Sequence, residues 1–135
     1  RLSDSKFIKT TTVSEYLKNF PPRQEIKYLA PGSWIYADFG KWIGNPYKVR
    51  AWEYLAVARE ELEEIVNNND KRLAIGEKIE LAWKQIYIAE GSDWFWWYGE
   101  NHADFDKLFR MHLSNFYTLI GKNIPDYLKR PLELT

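Results

Sequence analysis

The chain has 135 residues, 19 Lys and Arg against 19 Asp and Glu, no Cys, and an aromatic share of 17% that includes seven Trp. A length of this order makes one domain or part of one. Zero net charge excludes nucleic acid or an anionic membrane face as the main partner, because both draw on clustered Lys and Arg, and a chain without Cys has no disulfide framework, thiolate nucleophile or Cys-bound zinc. The longest apolar run, residues 94–98, falls far short of the roughly 20 residues that span a bilayer. A soluble chain is expected, with a slight preference for the cytoplasm and the compartment left open. It opens at Arg1 with no Met and no signal-like segment, so it is expected to be a piece of something longer.

Residues 6–13 are rich in β-branched side chains and read as a short strand. Thr12 and Glu15 match a capping box that starts a short helix reaching Asn19, and Pro21-Pro22 then enforces an extended link. Asn45-Pro46 reads as an N-cap followed by Pro at the first helical position, opening a helix to about Asn67. Its predicted inward stripe is Val49, Trp52, Leu55, Ala56, Leu62, Ile65 and Val66, with residues 59–64 forming the wet face.

A second helix is expected with Asn69 or Asp70 as its cap and Leu73, Ile79, Ala82, Trp83 and Ile86 inward. Gly76 lies inside it, which suggests that something packs closely there. A third helix runs from about Ala103 to Ile120, with Phe105, Leu108, Phe109, His112, Phe116 and Ile120 on one face. Gly121 stands at its left-handed C-cap. One further turn is expected near residues 125–128. The fold class is therefore mainly α, a small helical bundle of three longer helices plus short ones.

Two aromatic stretches follow neither period: residues 32–44, punctuated by Gly32, Gly40 and Gly44, and residues 89–99. If the second is helical, Trp94, Trp97 and Tyr98 share a face; if extended, Trp94, Trp96 and Tyr98 do. Five adjacent aromatics cannot all enter one core, so some face a neighbour, a groove or a ligand. Indole offers a flat apolar face with one N–H donor, and a sugar offers an apolar face of C–H groups rimmed by hydroxyls. A Trp beside an Asp suits such a ligand. The other reading is core and interface filler.

The segments Gly32-Ser33-Trp34-Ile35, Trp42-Ile43-Gly44 and 89–99, followed by residues 105–110, resemble the C-terminal part of family-57 glycoside hydrolases. These are the α-amylases, amylopullulanases and 4-α-glucanotransferases, largely of thermophilic prokaryotes, and the Trp run is most similar to the α-amylase and amylopullulanase branch. The resemblance spans residues 25–132; Gly91 stands where Ala or Ser is expected. It implies a helical C-terminal domain over residues 25–135, packed on an incomplete (β/α) barrel of which residues 1–24 would be the end or a linker.

It also implies retaining chemistry on α-1,4-glucan, with a Glu nucleophile and an Asp acid/base on the barrel upstream of Arg1, so no catalytic residue is assigned here. Asp93 is expected to bond sugar hydroxyls, Trp94 to stack on or shape a subsite, and Trp34 and Trp97 to join them. The implied partners are a maltooligosaccharide or longer α-glucan and the barrel, with no nucleic acid and no membrane.

Retaining glycosidases need two carboxyl groups about 5–5.5 Å apart. Glu90 and Asp93 become neighbours if both are helical, a pair the reading sets aside in favour of Asp93 as a binding group. His102, Asp104 and Asp106 hold ligand atoms but read as a helix cap and solvated turn, so no metal and no cofactor are expected. A high growth temperature is hinted by the family, the missing Cys and the single Met, while Asn67-Asn68-Asn69-Asp70 pulls the other way. An alternative from another class is a non-catalytic interaction or scaffold domain whose Trp cluster meets a protein surface.

Overall fold

The computed structural model describes residues 4–100 and 102–132, and the chain divides into two units, Arg1–Pro31 and Gly32–Thr135. In the first, α1 spans Val13–Asn19 and buries none of its residues. Its capping box forms as predicted. Thr12 Oγ1 accepts from the Glu15 N–H at 3.3 Å, and Glu15 Oε2 accepts from the Thr12 N–H at 3.0 Å. The strand expected over residues 6–13 is absent, as is any strand among the described residues. A lone extended segment has no neighbour for its row of backbone groups, and the Thr12 cap draws Val13 into the helix instead.

The second unit is a bundle of α2 (Pro46–Asn67), α3 (Asn69–Ile75), α4 (Lys78–Ala89), α5 (Ser92–Trp97) and α6 (Ala103–Leu119), closed by a 3₁₀ turn at Asp126–Lys129. The mainly helical class and the three longer helices agree with the spacing argument. Asn45 caps α2 by accepting from the Tyr47 N–H at 2.8 Å, with Pro46 at the first position. Helix α4 lies along α6, and α2 packs on both.

The buried stripe of α2 is Lys48, Ala51, Leu55, Ala58, Leu62 and Ile65, spaced alternately by three and four. Val49 and Ala56 face solvent instead, and Trp52 and Val66 are half-buried. The predicted face is turned by about one residue because bulky Val49 and Trp52 outweigh small residues in a hydrophobic count. Where helices cross closely, a small side chain is the one that fits. Ala51, Ala58, Ala82 and Ala89 are all fully buried and belong to one core with Phe95, Phe109, Leu113 and Phe116.

Gly76 corrects a second expectation. It lies outside any helix, at the joint where the predicted single helix breaks into α3 and α4. Its φ of +55° is one that side chains resist, and an added carbon would meet nothing nearer than Leu73 O at an ordinary 3.9 Å, so backbone conformation and not close packing explains the glycine. With α3 so detached, Leu73 points to solvent at 81% exposure instead of entering the core. Trp83 is half-buried, stacked on Tyr87 at 5.5 Å with Arg59 over its ring, so it is not the core residue its spacing suggested. On α6, Leu108 is exposed while Asp106, Leu113 and Tyr117 are buried.

Gly121 does end α6 in the left-handed region, at φ +72°. The Lys122 N–H reaches Tyr117 O at 2.9 Å and the Gly121 N–H reaches Thr118 O at 3.1 Å, which completes a Schellman motif. The chain then turns back, placing Leu128 and Leu132 in the core.

These assignments separate two leucines that the sequence treats alike. Leu62→Ala is expected to lower unfolding free energy by about 2–5 kcal/mol. Leu73→Ala should stay within about 0.5 kcal/mol of the parent in urea unfolding.

Candidate functional site

Helix α5 follows α4 with only Glu90 and Gly91 between them. Its short aromatic run sorts by direction. Phe95 and Tyr98 are buried, while Trp94, Trp96 and Trp97 are half-buried on either flank. The helical alternative of the two sequence readings is therefore the one adopted, although Tyr98 goes to the core and leaves the face it was expected to share.

Phe95 lies flat on Trp52 of α2, with centroids 3.6 Å apart, and meets Phe109 of α6 edge-on at 5.8 Å. Tyr98 donates its hydroxyl to Asp106 Oδ1 at 3.1 Å. Asp106 also accepts from Arg110 Nε at 2.9 Å and from the Leu132 N–H at 3.2 Å, and Arg110 donates on to Leu128 O at 3.0 Å. A buried carboxylate thus fastens the end of α5 and the returning tail to α6.

On one flank, Trp94 and Trp97 converge on Phe105, at 6.0 and 5.5 Å. Trp97 also meets His102 at 4.3 Å, and Trp94 meets His112 at 6.0 Å. The Trp94 indole N–H donates to Ile88 O at 2.7 Å, so its hydrogen bond is used inside the fold and only its ring surface remains for a ligand. Gln85 Oε1 lies 2.8 Å from His112 Nδ1, and the two side chains share a hydrogen bond. Partial burial pushes the His112 imidazole below its usual value. Asp93 is exposed at the start of α5, and among the described residues no hydrogen bond or ion pair engages it.

The other flank is built on Trp96. Trp34 is 81% exposed and stacks on Trp96 at 5.9 Å, within 10° of parallel; Trp42 meets Trp96 edge-on at 5.5 Å. Lys41 lies over Trp96 at 4.5 Å and pairs with Glu100, whose carboxyl that hydrogen bond holds below the ordinary carboxylate range. Buried Lys48 donates to Lys41 O at 2.5 Å, and Trp52 donates its indole N–H to Trp42 O at 3.1 Å. These two bonds tie the turns of residues 32–44 to α2. Gly32 is required there by space: a side-chain carbon would fall 2.7 Å from Ala37 O.

Of the residues singled out from sequence, Asp93, Trp94 and Trp97 thus share the short helix α5, the two Trp meeting at Phe105. Trp34 belongs to the second group, around Trp96. Sequence reasoning left Trp96 and Lys41 without a role. No periodicity marks them, since Lys41 reaches Trp96 only through tertiary packing. Glu90 lies in the joint between α4 and α5, where it pairs with Arg59, so it and Asp93 do not share a helix and their i, i+3 relation does not form. Among the described residues no three His, Asp or Glu side chains converge as metal ligands, and no helix is long and apolar enough to cross a membrane. No protein-family model, curated protein or solved structure matches the chain.

Lys48→Ala should cost about 1–3 kcal/mol, because it removes the buried ammonium that bonds the Lys41 carbonyl, while exposed Trp34→Ala should stay within about 0.5 kcal/mol; urea unfolding checks both. His112 gives a pH signature. Its pKa is lowered in the folded state, so the unfolded chain takes up the proton first as the solution is acidified. The stability it supports is present above the unfolded value, near 6.5, and is lost as pH falls through the folded one. His112→Asn should flatten the fall in stability as pH drops below about 6.5.

Proposed function

We propose that this chain is the C-terminal helical part of an α-glucan-active glycoside hydrolase of the α-amylase and amylopullulanase type. In this reading it completes a substrate cleft whose catalytic carboxylates lie on an upstream (β/α) barrel. One observation carries the reading: Asp93, exposed and without a hydrogen bond or ion pair among the described residues, immediately precedes Trp94, whose ring two helices hold in place. Asp93 then supplies acceptors for sugar hydroxyls, and Trp94 supplies an apolar wall. Because the indole N–H is taken by Ile88, Trp94 acts through its ring and not as a donor. The motif resemblance over residues 25–132 names the substrate class.

A charged carboxylate that accepts sugar hydroxyls is worth about 1.5–3 kcal/mol, or roughly a 10- to 100-fold change. In the enzyme carrying both barrel and bundle, Asp93→Ala is expected to lower kcat/KM on maltooligosaccharides by that factor while far-ultraviolet circular dichroism stays the same. Unchanged kcat/KM for both Asp93→Ala and Trp94→Ala would sink the reading. It would leave the alternative of a scaffold domain, which the highly exposed Trp34 ring favours.

A further inference from the structure

Gly91 is a glycine that its backbone does not need. Its φ of −57° and ψ of 132° lie in the extended region open to any residue. What crowds a side chain there is space. A carbon added at Gly91 would stand 3.2 Å from Trp94 Nε1 and 3.1 Å from Ile88 O, the two atoms joined by the Trp94 hydrogen bond. Ile88 O is a carbonyl of α4 that also accepts from the Gly91 N–H at 3.1 Å, so it has little freedom to move. The indole is the part that must give way.

We propose that Gly91 is a positioning residue for Trp94. The missing side chain lets the indole lie down on the joint between α4 and α5, with its N–H on Ile88 O, and this sets how far the ring stands into the glucan subsite. His112 and Phe105 hold it from α6. With Ala at 91 the ring is displaced outward by a few tenths of an ångström, its bond to Ile88 O lengthens, and the subsite narrows. The inference deepens the glucan reading and, for its effect on substrate, rests on it.

A double-mutant cycle tests the positioning. In the 135-residue chain, Gly91→Ala should alter the near-ultraviolet circular dichroism of Trp and lower Tm by about 3 °C, and the Tm loss should vanish in a Trp94→Phe background, whose smaller ring leaves room for the added carbon. An equal Tm loss in both backgrounds, or an unchanged Trp spectrum, overturns the inference. In the enzyme with its barrel, Gly91→Ala should raise KM for maltooligosaccharides about threefold to tenfold, with kcat within about twofold. A displacement of this size is a fraction of the 1 Å that costs about a hundredfold. A purely structural glycine would leave KM alone, and where Asp93→Ala or Trp94→Ala does alter kinetics that result also overturns the inference. If Asp93→Ala and Trp94→Ala leave kinetics unchanged while the Gly91–Trp94 cycle still couples, the glucan reading fails and the positioning stands.

Discussion

Phe95 is completely buried, its ring flat on Trp52 and edge-on to Phe109, and the placement of α5 follows from that one residue. A helix of six residues has too few hydrogen bonds to persist alone. Burying one aromatic side chain is worth about 1.5–3 kcal/mol, and well-oriented ring pairs add about 0.5–1.5 kcal/mol each. Phe95 gains contacts from two helices at once, so α5 is held by its middle. Once Phe95 points inward, the geometry of 100° per residue leaves Trp94 and Trp97 on one flank and Trp96 on another.

The polar groups reinforce this arrangement. Asp106 is buried, yet the Tyr98 hydroxyl, the Arg110 guanidinium and the Leu132 N–H all reach it. A buried carboxylate is tolerable only with such partners, and losing one is costly. Its value here is geometric. It joins the end of α5, the middle of α6 and the returning tail, three segments with no hydrophobic period in common. Lys48 does similar work for the irregular stretch before α2, where its ammonium serves the Lys41 carbonyl that no regular ladder serves.

Together these restraints explain why an aromatic run of five can exist on a small bundle. The two buried rings anchor it. The three half-buried rings each lean on a neighbour, Phe105 or Trp34 and Trp42. Exposed apolar surface is thereby gathered into two preorganised faces, and rigid aromatic surface beside free carboxylate oxygen is what a neutral polyol needs. The proposed glucan role draws on that preorganisation: a ring already fixed by Ile88, Phe105 and His112 gives up little freedom on binding.

The local signals were legible from residues alone. Asn45-Pro46 set the start of α2, Thr12 and Glu15 the cap of α1, and Gly121 the end of α6, because each acts through bonds within a few residues of chain. The helical class also came from order along the chain, whereas Asp93, Trp94 and Trp97 are candidates through the motif resemblance. Tertiary structure alone decided which way each helix turns. It rotated the α2 stripe onto its alanines, broke the predicted second helix at Gly76, exposed Leu73 and took Trp83 out of the core. Periodicity weighs side-chain bulk, whereas helix contact rewards fit. The same holds for the aromatic faces: that Trp34 stacks on Trp96, and that Gly91 leaves room for Trp94, depends on distances no spacing rule contains.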